Sequence, residues 1–122
     1  MERIGKQQIA LLSDIANSGA REFELDGRDG RVPGFMVRKK DRVFAYVNIC
    51  PHAGRPLNWG PDRFLTRDNG LIMCAGHGAL FQIDSGLCVE GACLGASLTS
   101  LELEIIDGRV LVGIPAPAES KT

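Results

Sequence analysis

Histidine is almost missing from this chain, with two in 122 residues. A mononuclear iron site of the oxygenase kind needs two histidines and a carboxylate. A second metal-binding function therefore has little left to draw on once these two are committed. A charge of one sign is also missing. The formal net charge is −1, which removes the electrostatic footprint that nucleic acid or an anionic membrane requires. No apolar run approaches the roughly 20 residues needed to span a bilayer. The patch from Ile9 to Leu12 is short and soon followed by Asp14, so a signal peptide is not expected. The cytoplasm is then the expected location, where cysteines serve as thiols, ligands or catalysts rather than disulfides. There is no glycine fingerprint for a dinucleotide, which excludes accepting electrons from NAD(P)H unaided. Nor is there a repeat, a low-complexity tract or a linker, so residues 1–122 are expected to form one domain.

What is present is a series of short alternating segments separated by turn residues. Ile9 to Leu12 is expected at a sheet edge, with Ser13 capping a helical turn that Asn17-Ser18-Gly19 ends. Arg21 to Leu25 alternates, with Phe23 and Leu25 on one side. Asp26 to Gly34, with three glycines and a proline, is expected to be a loop. Phe35 to Arg38 and Val43 to Asn48 form a hairpin that delivers the chain to Cys50. Asn69-Gly70 and Asp84-Ser85-Gly86 each mark a further hairpin. Leu98 to Ile106 and Arg109 to Gly113 flank Asp107-Gly108, and a frayed tail is expected from about residue 115. Eight or nine short strands without a long helix predict an antiparallel all-β sandwich or barrel-like fold.

Both histidines and two of the four cysteines fall in one stretch, CPHAGRPLNWGPDRFLTRDNGLIMCAGHGALF. They read Cys50-x-His52, then 21 residues, then Cys74-x-x-His77. Four soft-to-borderline ligands in two short loops form a metal-site pattern. A structural zinc ion accepts two Cys and two His, but Cys-x-His is tight for a zinc knuckle. Two irons suit the pairing better, because each loop then gives one Cys to the first iron and one His to the second.

This arrangement, with Gly78 after the second histidine, resembles the Rieske 2Fe–2S proteins. The similarity covers most of the chain. It includes the strand into Cys50, Pro56-Leu57, HGALF, the Asp-Ser-Gly turn and the closing strands from Leu98 to Val112. It implies a Rieske-like antiparallel sandwich with a small cluster-binding part at about residues 49–82, built from two loops. It also implies one 2Fe–2S cluster, with Cys50 and Cys74 on one iron and His52 and His77 on the other. The spacer is longer than the family's usual one, and a protruding finger around Asn69-Gly70 is expected to absorb the excess.

High-potential members of the family carry an extra cysteine in each loop and Ser and Tyr hydroxyls beside the cluster. Here those positions are Arg55, Gly76, Ala79 and Phe81, so the resemblance implies a low potential. It further implies a ferredoxin that carries single electrons from a flavin reductase to an oxygenase, with no small-molecule substrate of its own. A small Rieske subunit of an assimilatory nitrite reductase is the alternative, distinguished by co-purification with a large sirohaem protein. A zinc-stabilised binding module is the third reading, and it predicts a colourless protein. Cys88 and Cys93 are expected to be buried packing thiols, with a redox role as the alternative. Trp59, Phe64 and Phe81 are expected to pack around the loops. Arg55, Arg63 and Arg67 are either solvated or steer an acidic partner.

Overall fold

The computed structural model of the chain describes residues 6–15, 19–27, 30–51, 54–66, 70–75, 78–91 and 93–114. Nine strands are found among them: β1 (Gln7–Leu11), β2 (Ala20–Gly27), β3 (Gly30–Lys39), β4 (Arg42–Val47), β5 (Leu71–Met73), β6 (Leu80–Gln82), β7 (Cys88–Glu90), β8 (Glu102–Ile106) and β9 (Arg109–Gly113). A single 3-10 turn, Leu12–Asp14, follows β1. No helix among the described residues is long and apolar enough to cross a membrane. The strands form three antiparallel sheets, ordered β1-β9-β8, β2-β3-β4 and β5-β6-β7.

The middle sheet is the scaffold, and its strands β3 and β4 feed cores on both faces. Side chains alternate along a strand. From β3 and β4, Phe35, Val37 and Tyr46 enter a core shared with β5, β6 and β7. Met36, Val43 and Ala45 enter a second core with Leu25, Val110 and Val112. Residues 34–37 are consequently buried without interruption. Beyond β4 the ladder passes to the segment that leads into β8. Val47 N–H donates to the Thr99 carbonyl (2.9 Å), and Leu101 N–H donates to the Ala45 carbonyl (2.9 Å).

Two expectations are corrected here. The stretch from Asp26 to Gly34 is mostly strand rather than loop. β2 and β3 pair all the way to Gly27 opposite Gly30. Pro33 lies opposite Glu24 in the β2–β3 ladder, but its carbonyl accepts from Asn48 N–H on the β4 side, where the ladder begins only at Gly34, so its missing donor costs no β2–β3 bond. The cap of the 3-10 turn is not Ser13. Leu11 N–H instead donates to the Asp14 carboxylate at 3.0 Å. Asn17 and Ser18 lie outside the described residues, as does the tail from 115.

Part of the spacer between the proposed ligand pairs is anchored in the core. Leu57 and Phe64 have no exposed surface, and Leu65 is buried. The Phe64 ring stacks on Phe35 with centroids 4.3 Å apart and planes 8° from parallel. Asp62 N–H donates to the Glu22 carboxylate (3.1 Å), while Glu22 N–H donates to that of Asp62 (2.9 Å). The arms of the Asn69-Gly70 hairpin do pair, with Thr66 N–H on the Leu71 carbonyl and Met73 N–H on that of Phe64. Residues 67–69 at its tip, Arg67 and Asn69 included, lie outside the described residues.

Candidate metal centre

β4 runs into Cys50 and β5 runs into Cys74, and at each cysteine the chain makes the same loop. Cys50 N–H donates to the Arg55 carbonyl (2.8 Å), and Gly54 N–H donates back to the Cys50 carbonyl (2.8 Å). Cys74 N–H donates to the Ala79 carbonyl and Gly78 N–H to the Cys74 carbonyl, both at 2.9 Å. In each loop the fourth residue after the cysteine is a glycine with positive φ, 68° at Gly54 and 72° at Gly78. A side chain at either glycine would meet nothing within 4 Å. Glycine is therefore required by the backbone conformation and not by space. Cys50 and Cys74 therefore open two equivalent backbone frames.

Leu57 joins the two frames. Its carbonyl accepts from Ala75 N–H (2.8 Å), immediately after Cys74. Its own N–H donates to the Asn48 side-chain oxygen (2.9 Å). Asn48 in turn donates from its amide nitrogen to the Asn58 side-chain oxygen (3.0 Å), and its backbone N–H donates to the Pro33 carbonyl (2.9 Å). Among the described residues, Asn48 is the one polar side chain buried with the core, at 4% exposure. The sequence reading passed over it as the end of a strand. Its signal was a polar residue closing an apolar strand two positions before a ligand motif. We expect Asn48→Ala to cost about 1–3 kcal/mol, because the Leu57 N–H is left buried without an acceptor. Denaturant unfolding would measure that loss, and iron retention would fall with it if Leu57 holds the two loops in register. Unchanged stability and iron content would remove Asn48 from this role.

Cys50 and Cys74 are buried, at 1% and 2% exposure, and contribute to one core together with Cys88, Cys93, Ala79 and Phe81. His52, His77, Gly76 and Ala92 lie outside the described residues. Cys88 and Cys93 are buried thiols, as expected of packing residues. Burial pushes the Cys93 thiol up to about 12, followed by its hydrogen bond to Cys88 and the charges of Cys88 and Cys50. Burial, then the charge of Asp84, likewise pushes the Tyr46 phenol up to about 12. It stays protonated and donates to the Ile83 carbonyl, which pins the β6–β7 turn to β4. Phe64 and Phe81 pack as expected. Trp59 does not: it is 48% exposed, with the Arg63 guanidinium 5.4 Å above its ring.

The donor chemistry fits an iron–sulfur cluster. Two equivalent loops each present a desolvated sulfur at their first position, and the only two histidines fall inside those same loops in the sequence. Thiolates are the usual ligands of such clusters, and imidazoles replace two of them at one iron in the Rieske type.

Comparison with known proteins agrees. The Rieske 2Fe-2S domain profile matches residues 5–104. The chain is 34% identical over 100 residues to the ferredoxin component of the alkene monooxygenase system of Xanthobacter autotrophicus, covering 80% of this chain and 77% of that protein. It is 27% identical over 105 residues to a ferredoxin of Metapseudomonas resinovorans, covering 86% and 90%. Among solved structures, the ferredoxin of carbazole 1,9a-dioxygenase from Nocardioides aromaticivorans superposes with a TM-score of 0.74 at 21% identity, over 92% of this chain and 100% of that one. A ferredoxin solved in complex with the oxygenase of a carbazole 1,9a-dioxygenase superposes with a TM-score of 0.71 at 25% identity, over 88% and 92%. These matches run through both loops and the scaffold that carries them, and they set the zinc reading aside: the chain belongs to the Rieske 2Fe–2S family, whose domain carries one Rieske-type cluster.

Proposed function

We propose that Cys50 and Cys74 bind one iron of the cluster and His52 and His77 the other, and that the protein is a low-potential ferredoxin of an oxygenase system. When bound, the cluster supplies a store for a single electron, taken from a flavin reductase and given to an oxygenase. The chain's own contribution is to hold and insulate. The two loop frames fix the backbone of both cysteines, and Leu57 ties the frames together. Phe81 and the core beneath it exclude water from the sulfur side.

The observation that carries the reading is the equivalence of the two buried cysteine frames, taken with the named ferredoxin components that the chain resembles. Residues 1–122 act as one unit in this reading, with residues 49–82 as the cluster-binding part. The cytoplasm suits it, since thiols stay reduced there. Transfer of electrons from a flavin reductase to the isolated holoprotein, and onward to an oxygenase, tests the role. A holoprotein that no such reductase reduces would count against it.

The potential follows from missing hydroxyls. Ala79 and Phe81 are buried at 2% and 0% exposure, and neither side chain has a proton to donate toward sulfur. Negative charge added on reduction is then less stabilised. We expect a midpoint below zero, in the lower part of the Rieske span of roughly −150 to +300 mV. Ala79→Ser should raise it. Redox-poised EPR measures both values, and a wild-type midpoint above zero would sink the low-potential assignment.

A further inference from the structure

Cys88 and Cys93 are the two thiols that the cluster leaves unused. Cys88 lies on β7 and Cys93 in the turn that follows. Their sulfurs are 3.1 Å apart, with Cys93 donating to Cys88, and Cys88 donates onward to the Glu90 carbonyl at 3.4 Å. The backbone holds them face to face. Cys88 N–H donates to the Ala96 carbonyl (2.8 Å), Gly95 N–H to the Cys88 carbonyl (3.2 Å), and Ala96 N–H to the Cys93 carbonyl (2.8 Å). No large chain movement is needed to bring the sulfurs together.

The pair also adjoins the metal centre on two sides. Cys93 and Cys50 belong to the same buried core. Gly91, which lies between the two thiols in the chain, presses on the second ligand loop. A Cβ there would come within 2.8 Å of the Ala79 Cα, and the Ala79 carbonyl is the group that holds Cys74 N–H.

We propose that Cys88 and Cys93 form a redox-active dithiol that hydrogen peroxide closes to a disulfide, bracing Gly91 against the second ligand loop. Cys93 is the more exposed of the two, 8% against 1%, so its sulfur meets the oxidant first. It attacks one peroxide oxygen, the O–O bond breaks, and a sulfenic acid and one water result. The Cys88 sulfur then attacks the sulfenic sulfur, the S–O bond breaks, the S–S bond forms and a second water leaves. Two thiols have given up two electrons and two protons, and the peroxide has taken both. The sulfurs close from 3.1 Å to about 2.05 Å. Buried, protonated thiols react slowly, so the resting form is the dithiol. Only a small oxidant in excess reaches it.

The test uses the holoprotein. It is exposed to graded hydrogen peroxide, quenched in acid, alkylated with N-ethylmaleimide and mapped by mass spectrometry of its peptides. The peptide holding Cys88 and Cys93 should become unalkylated and lighter by two hydrogen atoms while Cys50 and Cys74 still alkylate. Dithiothreitol should reverse the change, and Cys93→Ser should abolish it. The wild-type map decides even if that variant folds poorly. Both residues still alkylated at peroxide levels that have already bleached the visible absorbance would overturn the proposal, as would a bridge to Cys50 or Cys74 instead. Slower amide exchange across residues 91–96 in the closed form is the expected sign of the brace, and unchanged exchange would remove it.

Discussion

Cys74→Ala should yield a colourless protein, its iron falling from the two per cluster of the Rieske type to near none. The side chain is 2% exposed at the first position of a loop closed by its own N–H and carbonyl. Alanine fits that loop but offers no lone pair. In the proposed ligand set three donors are then left for two irons, and one iron keeps only one of its two thiolates. Folding is affected too, because the free energy of metal binding is part of the free energy that orders the binding loops. The melting temperature should therefore fall along with the colour. Cys88→Ala is the control. It removes an equally buried thiol from outside the proposed ligand set and should keep both iron and the reduced-state EPR signal. If the two variants exchanged these outcomes, the ligand assignment would be wrong. Iron and sulfide analysis beside redox-poised EPR is enough to tell.

Phe64→Ala should destabilise the protein by roughly 3–5 kcal/mol. That is a large share of the roughly 5–15 kcal/mol that holds a typical domain. Phe64 is fully buried and stacks flat on Phe35 of β3, a contact worth about 0.5–1.5 kcal/mol beyond its area. It sits in the spacer and is the anchor by which the spacer joins the scaffold sheet. Losing it opens a cavity beneath both cysteine loops, since Leu57, Cys50 and Cys74 share that core. Urea unfolding of the holoprotein should show the loss as a lower midpoint at similar slope. A change below about 1 kcal/mol would restore the picture of a loosely held finger.

Much of this was legible in the residues themselves. The alternation of Arg21 to Leu25, the Asp84-Ser85-Gly86 turn and the Asp107-Gly108 turn each led to the strands found there. Turn chemistry acts within four residues, so it can be read locally. The candidate ligand motif could be read for the same reason, as residue types at fixed short spacing. The stretch from Asp26 to Gly34 was misread because its glycines and proline obey the ladder of β2 and β3 rather than their own turn preference. Trp59 was misread because burial depends on what lies opposite, and for Trp59 that is Arg63 and solvent.

Asn48 shows where local reading ends. Its amide is valuable only because Leu57 N–H arrives beside it from nine residues away, and because the Leu57 carbonyl then meets Ala75. The pairing of Cys88 with Cys93 is of the same kind, set by the turn after β7 rather than by the spacing of two cysteines. The sequence alone determined the all-β class, the family resemblance and the four candidate ligands, because each rests on residue types at short separations. Tertiary structure decided that the two cysteine loops are equivalent and joined through Leu57. It also decided that Leu57, Phe64 and Leu65 anchor the spacer in the core, and that two spare thiols face one another in the core that holds Cys50. Those are contacts between distant segments, and they exist only once the chain has closed its core.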